Sequence, residues 1–87
     1  MKLNISIELD LGAGALYITL REGHIAKTVE FAEEVFVDLD SNGKVLGIEM
    51  LNPGTISVCL PKIASSYHIP ALRHVRAKAL EQVFAYN

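Results

Sequence analysis

Hydrophobic and polar positions alternate from near the start of the chain. In "LNISIEL", residues 3–9, Leu3, Ile5, Ile7 and Leu9 share one side, and Asn4, Ser6 and Glu8 take the other. A period of two predicts a half-buried strand. The two glycines of "DLGAGA" end it in a turn. "ALYITL", residues 15–20, is a second strand, with Leu16, Ile18 and Leu20 on one face and Tyr17 and Thr19 on the other. After "REGH", "IAKTVEF" is a third strand, with Ile25, Val29 and Phe31 on one side. Lys27 interrupts that side, which suits a strand at a sheet edge. "EEVFVDL" and "KVLGIEML" complete the set. The expected object over residues 1–51 is an antiparallel β-meander of about five short strands. Only one of its faces is apolar, so another layer must cover that face.

The C-terminal part, residues 52–87, supplies the cover. "NPG" breaks the sheet, and "TISVCL" reads as a short sixth strand or an extended arm. Pro61 suits the first turn of a short helix, with Ile63, Ala64 and Tyr67 at helical spacing. From Leu72 onward, Leu72, Val75, Ala79, Leu80 and Val83 form a stripe of 3.6-residue period, which predicts a longer amphipathic helix. The fold class is α+β, a single domain of sheet plus C-terminal helical segment.

Composition sharpens this picture. The chain has 87 residues, of which 51% are hydrophobic. That is more apolar material than a small monomer easily hides, so a homo-oligomer is expected, with a dimer favoured. Phe84 and Tyr86 lie beyond the end of the stripe and are candidates for burial against a partner subunit, as are Val58, Leu60, Ile63, Tyr67 and Ile69. The single cysteine, Cys59, forms no internal disulfide and sits between Val58 and Leu60 as a small buried hydrophobe. No apolar run reaches the ~20 residues that span a bilayer, and the expected address is the cytoplasm. Residues 1–60 carry four basic side chains against nine acidic ones, whereas residues 61–87 carry four against one. Such a split allows attraction between copies or a basic C-terminal contact surface.

One motif points directly at chemistry. Asp38-x-Asp40-x-Asn42-Gly43, with Glu49 closing the span, satisfies the EF-hand calcium-loop expression. An EF-hand loop joins two helices, but here Val35, Val37 and Leu39 alternate before the loop and Leu46, Ile48 and Met50 after it. Both flanks are strands. A two-residue Asn42-Gly43 type I′ turn pairs 39 with 46, 37 with 48 and 35 with 50, every pair apolar. A four-residue loop of the same parity would keep the same faces, whereas a three-residue loop would set those side chains opposite the wrong partners. Glu49 then lies across from Phe36 and does not return as a ligand. The motif reads as an acidic hairpin tip, with a weak cation site at Asp38 and Asp40 as the lesser alternative.

Other constellations are sparse. His24, His68 and His74 share no helical face and form no metal-ligand spacing, and the glycines of "LGAGA" open no phosphate loop, so no metal or cofactor is expected. An enzyme would need a pocket near Asp38, Tyr17 or His24, and no convergent set accompanies them. "PKIASSYHIPALRHVRAKAL" reads as helix, turn, helix, which makes Arg73, Arg76 and Lys78 candidate DNA contacts of a regulator or antitoxin-like module. The turn lacks glycine and the usual three-helix core is missing, which weighs against it. Tyr17 and Phe36 are too few, and too close to acids, for a stacking surface for single strands.

The stretch "ELDLGAGALYITLREGHIAKTVEFAEEVFVDLDSNGKVLGIEML" resembles the uncharacterised domain-of-unknown-function family 2283 over about residues 8–51. The likeness lies in an acidic lead-in, "ALYITL", "AKTVEF" after a turn, and "VFVDLDSNGKVLGIEML". Members usually carry a Tyr-Asp pair before the first turn, where this chain has Leu9-Asp10. The resemblance implies a small β-meander protein of bacteria or archaea and no assigned activity. Its recurrent positions fall here on Leu16, Tyr17, Val37, Asp38, Asp40, Gly43, Gly47, Ile48 and Glu49. Core, turn and close backbone approach at Gly47 account for most of them.

The reading that follows is a small non-catalytic protein that self-associates and serves a protein partner. A DNA-contacting module is the first alternative and an enzyme of unidentified class the second.

Overall fold

A computed structural model describes residues 5–85. Its order is β1 (Ser6–Asp10), β2 (Ala15–Thr19), β3 (Lys27–Ala32), β4 (Val35–Leu39), β5 (Val45–Met50), α1 (Ile56–Ser66) and α2 (Ala77–Ala85). The 3-10 turns Pro53–Thr55 and Pro70–His74 precede the two helices. Each strand lies where the sequence alternates, within two or three residues at the ends. The fold is α+β, a five-stranded antiparallel sheet with a C-terminal helical layer. In space the strands run β1-β2-β5-β4-β3. Residues 27–50 therefore form a three-strand meander, and the β1–β2 hairpin joins it where β2 pairs with β5. β3 is an edge, as Lys27 suggested.

The core is one cluster between the sheet and the helical layer. Leu16, Ile18, Val35, Val37, Ile48 and Met50 from the central strands meet Ile56, Leu60 and Ile63 of α1 and Leu72 of the second 3-10 turn, each at most 2% exposed. Tyr67 extends this cover over β3, its ring 6.3 Å from that of Phe31. β1 is different: all five of its residues are exposed.

The cover helix is not the expected one. "TISVCL" is neither strand nor arm. Ile56, Cys59, Leu60, Ile63 and Ala64 fall at the spacing of one helical face, and all five are buried. The apolar alternation of Ile56, Val58 and Leu60 disguised that face, and Val58 is 56% exposed. Pro61 lies inside α1 rather than in its first turn. Its missing N–H deletes one bond early in the helix, and burial of the flanking residues outweighs the loss. α1 has 11 residues and α2 has 9, so the longer helix is the first. The stripe from Leu72 is broken, because Val75 is extended at φ −72° and ψ 131°. Leu72 to Val75 is also a 3-10 spacing, so the pattern alone did not separate the two helix types. Ala79 is exposed, and Val83 is 41% exposed.

Residues expected to need a partner subunit are largely housed within the chain. Leu60, Ile63 and Ile69 are buried, and Tyr67 and Phe84 are partly buried against the core. Tyr86 lies outside the described residues.

The N-terminus of α1 has no side-chain cap from Thr55. Glu81 of α2 substitutes for it: its Oε2 accepts the Ser57 N–H at 2.6 Å. This carboxylate also meets the positive end of α1. Hydrogen bonds from the Ser57 hydroxyl and then its backbone N–H hold the Glu81 carboxyl below its usual range. A depressed folded-state value means that the contribution is present above the ordinary value of 4.5 and is lost as pH falls through the lower folded value. Glu81→Gln is expected to lower the thermal midpoint by about 4 °C at neutral pH. In thermal scans, wild type and variant should converge as pH falls below the ordinary glutamate range. A gap of the same size at pH 3 and pH 7 would show that the charge plays no part.

Candidate functional site

The open face of the sheet carries the polar residues of the alternation in cross-strand rows. One row is Ser6, Thr19, Gly47, Asp38 and Thr28, and the next is Glu8, Tyr17, Glu49, Phe36 and Glu30. Strand pairing thus brings together residues far apart in the chain. The Tyr17 ring lies over Gly47. Its hydroxyl donates to Asp38 Oδ2 at 2.6 Å, and the Thr28 hydroxyl donates to Asp38 Oδ1 at the same distance. A Cβ at Gly47 would overlap the tyrosine hydroxyl and stand 2.8 Å from Cε2. The close approach expected at Gly47 is therefore made by an aromatic side chain rather than by backbone.

Electrostatics fix the state of this trio. Burial, then the hydrogen bond and charge of Asp38, and then the charges of Glu49 and Glu8 push the Tyr17 phenol well above its ordinary range. Tyr17 remains a neutral donor at physiological pH. Both Asp38 oxygens accept a hydroxyl. A donor that resists ionisation and a carboxylate engaged on both oxygens form a closed network that ties three strands together in register. An open groove of about 500 Å³ lies beside it, rimmed by Glu8, Asp10, Tyr17 and Glu49.

The hairpin tip departs from the expected turn. Among non-glycine described residues only Glu34 and His68 have positive φ, so Asn42 does not, and the turn is not type I′. The Gly43 N–H donates to the Asp40 carbonyl at 3.0 Å, Gly43 itself has φ +81°, and the Asp40 N–H donates to the Lys44 carbonyl at 2.9 Å. This is a three-residue loop with glycine in the left-handed region. The expected pairs 35–50 and 37–48 are present, but Leu39 pairs with Val45, and the register shifts before Asp38 meets Gly47. A bulge at Leu46 takes up the odd residue and restores the faces. Leu46 itself is buried beside Gly23 of the 20–26 segment rather than in the main core.

The calcium-motif residues are each engaged in this turn or in the sheet. Asp40 Oδ1 accepts the N–H groups of Asn42 at 2.8 Å and Lys44 at 2.9 Å. The Lys44 bond in particular holds its carboxyl below the usual range. Asp38 is bound to Tyr17 and Thr28, and Glu49 lies opposite Phe36. No group of three or more His, Cys, Asp or Glu that could hold a metal occurs among the described residues. Calcium titration is expected to leave the backbone amide signals of residues 38–49 in place below about 1 mM metal. Saturable micromolar shifts there would contradict this account of the hairpin.

The remaining candidates are spread over the helical layer and loops. His24, His68 and His74 are exposed on three separate segments. Cys59 is buried, with its Sγ 3.6 Å from Thr55 Oγ1. Arg73 is in the second 3-10 turn and donates to Ser65 Oγ at 2.9 Å, Arg76 precedes α2 beside an apolar groove, and Lys78 lies in the first turn of α2. All three are exposed. No described helix is long and apolar enough to cross a membrane.

Sequence reasoning missed Thr28 as a partner of Asp38 and missed the Tyr17–Asp38 bond. The available signal was Gly47, a glycine inside an otherwise well-formed strand, which marks a close approach from a neighbour.

Comparison with known proteins finds that residues 7–52 match the family described as "Protein of unknown function (DUF2283)". No curated protein and no solved structure matches.

Proposed function

The chain belongs to the DUF2283 family, and we propose that it is a non-catalytic module acting by contact, one that self-associates as a homodimer and presents a surface to a protein partner. The observation that carries this reading is β1. Its five residues are exposed, and Ile7 and Leu9, on the helix-facing side of the sheet, are 38% and 40% exposed. An edge strand whose apolar side is left partly exposed suits contact with another chain. The closed Tyr17–Asp38–Thr28 network supports the non-catalytic part. A cytoplasmic address belongs to the same reading and rests on the lone, buried Cys59.

Self-association that is lost on unfolding makes stability depend on concentration. The thermal midpoint is therefore expected to rise by several degrees between about 5 and about 500 μM protein. A midpoint independent of concentration across that range would overturn the self-association reading.

A further inference from the structure

The two edges of the sheet are not equivalent. β3 is protected against strand addition by Lys27 and by a register irregularity between Glu30 and Ala32. β1 has neither a lysine nor a bulge within Ser6–Asp10. The direction of its free backbone groups follows from the ladder. The Leu20 N–H donates to the Leu46 carbonyl on the β5 side. Antiparallel ladders alternate, so Ile18 and Leu16 also face β5, and Tyr17 and Thr19 face β1. Glu8 and Ser6, paired with Tyr17 and Thr19, therefore spend their backbone bonds on β2. The N–H and C=O groups of Ile7 and Leu9 point off the open edge.

The same two residues carry the exposed apolar side chains. Beside Ile7 an apolar groove of about 460 Å³ runs between Ile5 and Ile7 on one side and Val75, Ala79 and Leu80 on the other. Backbone and side chains therefore ask for one kind of occupant, an added strand whose residues are apolar on the helix-facing side.

β1 itself fits that description, and of the registers that set no carboxylate opposite another, the one centred on Ile7 pairs the most of its described residues. A twofold pairing centred on Glu8 sets Glu8 opposite its own copy. Centring on Leu9 sets Glu8 opposite Asp10. Centring on Ile7 sets Ile7 against Ile7, Ile5 against Leu9, and Ser6 against Glu8, with no carboxylate facing another. We infer that two copies of the chain pair antiparallel through β1 about a twofold axis at Ile7, joining their sheets into one and closing the apolar side over both grooves. This inference rests on the self-association reading and specifies its surface.

The test uses the full chain, with sedimentation and amide hydrogen exchange together. Proline at position 7 removes an N–H that points away from β2 and, among the described residues, meets no strand neighbour, so Ile7→Pro is expected to keep the wild-type far-ultraviolet dichroism. It removes the central donor from each copy, and dimer affinity is expected to fall by about 30-fold. In wild type, exchange at the Ile7 and Leu9 amides is expected to slow by about tenfold or more from dilute to dimeric concentrations. If Ile7→Pro fails to fold, this wild-type exchange measurement decides the question alone. A wild-type dimer whose Ile7 and Leu9 amides exchange at the dilute rate would overturn β1 pairing while leaving self-association standing. So would a folded Ile7→Pro variant that dimerises as tightly as wild type. A wild type that stays monomeric at every concentration would remove both.

Discussion

Replacing Ile63 by alanine is expected to destabilise the protein by about 3 kcal/mol, because the site is deep and closely surrounded. Ile63 is fully buried in α1, in one cluster with Val37, Ile48 and Met50. Removing its outer carbons forfeits their transfer energy and leaves a cavity between helix and sheet. The same change at Val83 of α2, 41% exposed, is expected to cost no more than about 0.5 kcal/mol. The contrast matters because the apolar stripe from Leu72 to Val83 looks like the cover helix in the sequence, whereas α1 covers the sheet in the fold. Urea unfolding of both variants measures it. Equal losses, or a larger loss at Val83, would mean that the helical layer packs the other way round.

Gly47→Ala is expected to cost about 2 kcal/mol, an unusually large effect for an added methyl group on the open face of a sheet. The new Cβ would occupy the place of the Tyr17 ring. Tyr17 must swing out, giving up its cover over β5 and its hydrogen bond to Asp38. The Tyr17→Ala background removes the obstacle. There the same substitution is expected to be neutral or slightly stabilising, since alanine is less costly than glycine in ordered backbone. A double-mutant cycle should therefore give a coupling of about 2 kcal/mol between the two positions. Additive effects would show that Tyr17 does not rest on Gly47.

Both expectations bear on how much of the molecule is legible in its sequence. Alternation located all five strands: β2 to β5 turn apolar residues towards the core, and β1 alternates in sequence although all five of its residues are exposed. It also paired Val37 with Ile48 and Val35 with Met50. The hairpin tip was misread for a physical reason: Leu46, Ile48 and Met50 continue the alternation unbroken, so nothing local announces the bulge. Leu46 leaves the core face only because the 20–26 segment shelters it. α1 was hidden by Pro61 and by the accident that Ile56, Val58 and Leu60 also alternate. The candidate site was half legible. Asp38 and Tyr17 stood out as residues, but their meeting depends on β5 lying between β2 and β4, a tertiary fact. Thr28 enters through the β3–β4 pairing and carried no mark of its own.

The closed network on one face and the open edge at β1 both underlie the proposal that this small protein works through contact with other chains. The most direct measurement of that claim is sedimentation velocity of the unmodified chain from about 1 to about 200 μM, a range spanning typical dimer affinities. The expected result is a reversible shift from monomer mass to twice that mass as concentration rises. A single species of monomer mass throughout would contradict it.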